Sequence, residues 1–223
     1  MAPHPIGVFG GTFDPIHYGH LRTALELLET LELAEMRFIP CRIPAHRGLP
    51  QVTAEQRLTL VRLALDGQPG FIADDRELRR EGPSYMADTL ASLREDFGPD
   101  KPLCLIVGTD AFRELHTWHR WRELTDWAHI VVMQRPGVLQ PLPPALENFI
   151  TPRVIYDALA LRRKPAGSVL FQPVTQLNIS ATQIRALLAH GQSPRYLLPE
   201  ATLAYIHNRA LYRALSPSPS AHS

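Results

Sequence analysis

The chain has 223 residues, 45% of them hydrophobic, with 23 basic residues against 22 acidic ones. That composition is ordinary for a globular protein able to bury a core without staples, and a net charge of +1 excludes polyanion binding by bulk electrostatics. No apolar run approaches the ~20 residues of a membrane span, the first residues lack a signal peptide's basic-then-apolar order, and the two cysteines, Cys41 and Cys104, suit neither a disulfide framework nor a four-cysteine zinc site, so the expected compartment is the cytoplasm.

Ile6–Phe9 is a short apolar run that stops at Gly10-Gly11, as a buried strand ending in a glycine turn does. Leu21, Ala24, Leu25, Leu28 and Leu31 fall at helical spacing, which predicts a helix from about Tyr18 to Leu31. Met36–Pro40 reads as a second strand, and residues 41–52, with Pro44, Gly48 and Pro50, as a loop. Thr53–Gln56 is a capping-box pattern opening a helix with Leu58, Val61 and Leu65. Phe71–Ala73 is a short strand. Glu81–Ser84 is a turn, with Ser84 expected to cap a helix carrying Leu90, Leu93 and Phe97 that Gly98-Pro99 ends.

Leu103–Val107, a continuous apolar run closed by Gly108, is the clearest buried strand, and Ile130–Met133 is another. Residues 137–165 read as loop plus one irregular helix, and Ser168–Phe171 as a late strand. Ser180–Gln183 is a second capping-box pattern, before Ile184, Leu187 and Leu188 and a closing Gly191. Pro199 fits the first turn of a last helix with Leu203 and Ile206. The tail from 214, rich in Ser and Pro, is expected to be disordered. The whole predicts an α/β, Rossmann-like, doubly wound and mostly parallel sheet, one domain over residues 1–213 with a small helical part at about 180–213.

In such folds ligands lie at the carboxyl ends of strands. Three segments there carry chemistry. In Gly10–His20 a double glycine leads into a helix start, where free N–H groups suit an anion, and His17 and His20 at i and i+3 share a face. The segment matches neither a dinucleotide fingerprint nor a P-loop, and no third zinc ligand is near. Asn178–Arg185 places Ser180, Thr182 and Arg185 at another helix start, a combination suited to gripping phosphate, although plain N-capping is the simpler reading of that segment alone. Gly108-Thr109-Asp110 ends the best strand with a carboxylate suited to a ribose or base, or to capping.

The run G-G-T-F-D-P followed by H-x-G-H, paired with the late I-S-x-T-x-I-R helix start, resembles the nucleotidylyltransferase superfamily. Ile43–Arg47, Glu77-Leu78, Ser84-Tyr85, Thr89-Leu90, Thr117-Trp118 and Arg135-Pro136 extend the resemblance, in order over nearly the whole chain, to nicotinate mononucleotide adenylyltransferases. The resemblance implies in-line attack of the mononucleotide phosphate on the α-phosphorus of ATP, without a covalent intermediate. It implies that His20 stabilises charge on the α-phosphate, with His17 beside it and Arg185 on the departing pyrophosphate. Gly10, Gly11, Thr12, Phe13, Gly108, Asp110, Ile179, Ser180 and Thr182 complete the ATP side. Asp14, His46, Arg47, Tyr85, Met86, Trp118 and Arg135 fall on the mononucleotide side.

Magnesium would accompany ATP, held mainly by the substrate phosphates. The implied partners are these small nucleotides, with no nucleic acid or membrane; a homo-oligomer stays open. The sequence departs from the family pattern at Met86, where Thr is frequent and whose thioether cannot donate a hydrogen bond, at Ala45 for Pro, and at Ala181 for Ser. Nicotinamide mononucleotide or phosphopantetheine as acceptor, or a non-catalytic nucleotide-binding module, are the competing readings.

Overall fold

The computed structural model describes residues 3–45, 48–134 and 141–213. The first half of the chain reads β1 (Ile6–Gly11), α1 (Tyr18–Thr30), β2 (Glu35–Pro40), α2 (Ala54–Leu65), β3 (Phe71–Ala73), α3 (Arg76–Arg79), α4 (Met86–Phe97) and β4 (Leu103–Gly108). The second half reads α5 (Thr109–Arg113), α6 (Leu124–Trp127), β5 (His129–Gln134), α7 (Pro144–Ile150), β6 (Val154–Ile155), β7 (Val169–Pro173), α8 (Ala181–Ala189) and α9 (Glu200–Asn208).

Seven strands form one sheet in the order β3-β2-β1-β4-β5-β7-β6. Every pairing is parallel, rather than mostly so. The chain builds outward from β1 through β2 to β3, then returns to the far side of β1 with β4. Strand order reverses between β1 and β4, and such a switch point opens a crevice at the carboxyl ends of its strands.

Residue alternation sorts the core onto the two faces. Leu103, Leu105, Val107, Ile130 and Val132 lie on the face covered by α4, among them Leu90 and Leu93. Cys104, Ile106, Val131 and Met133 lie on the other, which carries Ala24, Leu27 and Leu31 of the α1 region and Leu203 and Ile206 of α9. Both faces are apolar, so the strands read as continuous hydrophobic runs, as parallel sheets do. Leu27, outside the stripe read from the sequence, is fully buried, because the buried face of α1 runs through Ala24, Leu27 and Leu31.

Three capping expectations resolve differently. Thr53 caps α2 reciprocally with Gln56, as read. Ser84 does not cap α4: Tyr85 holds the N-cap position, without a side-chain capping bond. Ser84 is drawn sideways instead, its N–H donating to Ile43 O at 3.0 Å and its Oγ accepting from Arg42 N–H at 2.9 Å. Pro199 is the N-cap of α9, one residue before its first turn. Residues 141–165 hold a short helix as expected, but also the two-residue edge strand β6 and two 3-10 turns. The tail from 214 lies outside the described residues. Among the described residues no helix is long and apolar enough to cross a membrane.

Candidate active site

A cleft of about 820 Å³ opens over the ends of β1 and β4. Gly10, Gly11, Thr12, Phe13, Asp14, His17, Gly19 and His20 form one wall, Gly108 and Asp110 line it from β4 and α5, and Ile179, Ser180, Thr182 and Arg185 enter from α8. Tyr85, Met86, Trp118 and His119 line it from the α4 side. The structure thus gathers in one cavity every expected site residue that it describes. His46, Arg47 and Arg135 lie outside the described residues.

The glycines of β1 make room for neighbouring side chains. A Cβ on Gly10 would sit 2.4 Å from Met86 Cε, and one on Gly11 2.9 Å from the Phe13 ring. Phe13 turns the chain with a left-handed backbone, φ 49°. Its buried ring packs edge-on against Phe9 and lies 5.2 Å from the His20 ring, making an apolar floor beneath the imidazole.

His17 is the extended N-cap of α1 (φ −152°, ψ 171°), and its backbone N–H donates to His20 Nδ1 at 3.3 Å. That bond makes Nδ1 the acceptor, so a neutral His20 carries its proton on Nε2. The two rings stack with centroids 3.8 Å apart at 29°. Burial lowers His17 to a pKa of about 4, so it is neutral near pH 7. Its Nδ1 is buried without a hydrogen-bond partner in the protein. Gly19 lies between the two motifs: a Cβ there would meet the His17 ring at 3.0 Å and Ile179 O at 3.4 Å.

At the start of α8, Ser180 Oγ accepts from Gln183 N–H at 3.1 Å, which is N-capping by Ser180 without the reciprocal Gln183 bond of a capping box. Arg185, one turn inside, donates from Nη1 to the Asp14 carbonyl at 2.7 Å and from Nη2 to Thr182 Oγ1 at 3.3 Å. Its Nε is buried without a partner. These bonds tie α8 to the glycine loop across 171 residues of sequence. The Asp14 carboxylate accepts from Tyr212 O–H at 2.7 Å and from Gln51 N–H at 3.0 Å, so both its oxygens are already bonded within the protein.

At the end of β4, Gly108 rather than Asp110 is the N-cap of α5. Thr109 Oγ1 donates to Met133 O at 2.9 Å, tying the ends of β4 and β5. On the α4 side the Tyr85 ring lies 4.2 Å from that of His119. Trp118 is half-buried against the core. Glu77 is buried, and its carboxylate accepts from Thr89 Oγ1 at 2.6 Å; burial pushes this carboxyl up from the usual range.

Arg57, Tyr212 and His119 belong to the site and went unread in the sequence. Arg57, on α2, is only 1% exposed. It donates from Nη1 to Thr12 O at 2.7 Å and from Nη2 to Arg42 O at 3.1 Å, bracing both loops from beneath. Its position on the buried side of an amphipathic helix was the available signal. His119 could have been flagged as the neighbour of Trp118. Nothing local distinguishes Tyr212.

The switch-point cleft, two helix starts and a stacked imidazole pair define a nucleotide-binding α/β protein suited to phosphate chemistry. A family model described as cytidylyltransferase-like matches residues 8–187. A protein of Methylococcus capsulatus named "probable nicotinate-nucleotide adenylyltransferase" is 51% identical over 208 residues, 93% of this chain and 99% of that one. One of Halorhodospira halophila with the same name is 55% identical over 196 residues, 88% of this chain and 89% of that one. The solved nicotinic acid mononucleotide adenylyltransferase of Plasmodium falciparum, complexed with NaAD, superposes with a TM-score of 0.71 over 94% of this chain and 97% of that one; at 16% identity the likeness is one of fold. The chain belongs to the cytidylyltransferase-like family and, within it, to the nicotinate-nucleotide adenylyltransferases.

Proposed function

We infer that the chain transfers the adenylyl group of ATP to nicotinate mononucleotide, giving deamido-NAD and pyrophosphate in NAD biosynthesis. The observation that carries this reading is a single cleft lined both by the His17–His20 pair with the α8 start and by the α4 start with Tyr85, Met86 and Trp118. Such a transfer forms no covalent intermediate and needs mainly positioning and neutralisation of spread negative charge.

Each group has a part in that chemistry. His20, proton on Nε2, donates to the α-phosphate oxygens as charge builds there, and the neutral His17 ring stacks on it and holds its orientation. Arg185, Ser180, Thr182 and the N–H groups of α8 take the β- and γ-phosphates that depart as pyrophosphate. Gly108, Asp110 and Ile179 face the adenosine. On the acceptor side Trp118 and Tyr85 offer aromatic faces to a flat pyridine ring. Met86 is the first residue of α4. Its thioether cannot donate, but the free N–H groups and positive end of that helix favour a carboxylate over an amide. His46, Arg47 and Arg135 are the candidates for the mononucleotide phosphate.

Magnesium would supply masking of triphosphate charge. No group of three or more His, Cys, Asp or Glu among the described residues is placed to hold a metal. The carboxylates of Asp14 and Glu77 are occupied by protein donors. We read such a cation as carried mainly by the substrate's phosphates and water, with Asp110 and Glu114 the other carboxylates on the cleft wall. We place the reaction in the cytoplasm, with small nucleotides rather than nucleic acid as partners.

Pyrophosphate release with ATP and each acceptor tests the reading. Nicotinate mononucleotide is expected to give the highest kcat/KM, ahead of nicotinamide mononucleotide. Turnover with phosphopantetheine alone overturns the acceptor assignment. ATP binding without turnover on any acceptor means a non-catalytic module.

A further inference from the structure

The cation of the phosphate clamp has a rival anion inside the protein. Asp14 Oδ2 lies 4.0 Å from Arg185 Nη1, outside hydrogen-bond reach. Any rotation of the carboxylate that brought an oxygen within hydrogen-bond reach of Arg185 would form a tight ion pair, spending the guanidinium's charge on the protein.

Two donors oppose that rotation. One is Gln51 N–H on Oδ2, and the other is Tyr212 O–H on Oδ1, from a residue 198 positions away. The chain delivers this tyrosine at some expense. Ala210 (φ 52°) and Tyr212 (φ 60°) both adopt left-handed backbone after α9, at roughly 1–2 kcal/mol per residue. The excursion buries Leu211 and Tyr212, 8% and 6% exposed, in the core beneath the glycine loop. Burial also holds the Tyr212 hydroxyl far above the ordinary phenol range, so it is a donor at every working pH.

We propose that Tyr212 is a positioning residue for the polyphosphate clamp: its hydroxyl occupies Asp14 so that the carboxylate does not close on Arg185, which leaves the guanidinium for the β- and γ-phosphates of ATP. This rests on the reading of Arg185 as the clamp. Tyr212 touches no substrate in this role. It acts through Asp14, and its effect is confined to ligands that reach Arg185.

That confinement supplies the test. Binding of ATP and of AMP, which lacks the β- and γ-phosphates, is measured by calorimetry for the wild type, Tyr212→Phe and Tyr212→Phe/Asp14→Asn. Tyr212→Phe is expected to weaken ATP about tenfold and AMP less than twofold. The double variant, whose residue 14 carries no charge to offer Arg185, is expected to recover most of the ATP affinity. Equal weakening of ATP and AMP, no weakening of ATP, or no recovery in the double variant each overturns the proposal.

Asp14→Asn alone serves if Tyr212→Phe does not fold. It is expected to keep or raise the wild-type ratio of ATP to AMP affinity, and a lowered ratio refutes the idea. A wild type that prefers ATP over AMP but turns over no acceptor refutes the proposed reaction and leaves this inference standing. A wild type with no preference for ATP refutes the clamp and this inference together.

Discussion

Acidification from pH 8 to pH 5 is expected to destabilise the fold, and His129 sets a measurable share of the loss. The ring sits at the start of β5, fully buried, with Nδ1 accepting from Ser168 N–H at 3.0 Å and Nε2 against Lys164 O at 2.9 Å. One acceptor and one donor make a neutral imidazole; a proton on Nδ1 would break the bond to Ser168. Burial lowers its pKa from 6.5 to about 4, as for His17. Between those values the unfolded chain holds a proton that the native ring lacks. Stability is therefore whole above about pH 6.5 and falls as the pH falls toward 4. Each ring contributes a loss of about 2 kcal/mol at pH 5 and about 3 kcal/mol below pH 4. Buried Glu77, with its raised pKa, acts in the opposite direction, so a difference between variants is the clean measure. Urea denaturation of the wild type and His129→Gln at both pH values gives it. The variant is expected to start less stable at pH 8 and to lose about 2 kcal/mol less than the wild type on going to pH 5. Equal losses in the two proteins would refute the reasoning.

Two further outcomes follow from the site. His20→Ala is expected to lower kcat at least about 100-fold while ATP affinity stays within roughly tenfold, because its contact strengthens mainly in the transition state; near-normal turnover in pyrophosphate-release assays removes His20 from the mechanism. Gly10→Ala drives a Cβ into Met86 Cε, and the flexible thioether swings aside within the cleft. The expected result is a KM for nicotinate mononucleotide raised several-fold with a thermal midpoint within a few degrees of wild type; an unchanged KM would show that Met86 does not border the acceptor.

The sequence disclosed the sheet where periodicity and punctuation agreed. β4 and β5 carry the unbroken apolar runs 103–107 and 130–133, the first closed by Gly108, and α2 announces itself through Thr53 and Gln56. The His17–His20 pair was legible because both residues lie within one helical turn of a cap. What stayed hidden depends on chain crossing chain. Ser84 looks like a cap until the chain at Arg42 passes beside it and engages its hydroxyl. β6 is two residues long and exists only because β7 offers an edge. Tyr212 and Asp14 are brought together by the fold of almost the whole chain, which no local pattern encodes.

Arg57 holds the glycine loop and the segment after β2 by main-chain oxygens, those of Thr12 and Arg42. Every amino acid carries that oxygen. Side chains at positions 12 and 42 can therefore change without loosening the brace, whereas position 57 admits no such freedom: lysine lacks the fork that reaches two carbonyls at once. The burden of shaping the loops falls on a residue that never meets the ligand. Loop side chains are left open to drift and to selection for a different acceptor, on a backbone path that stays the same.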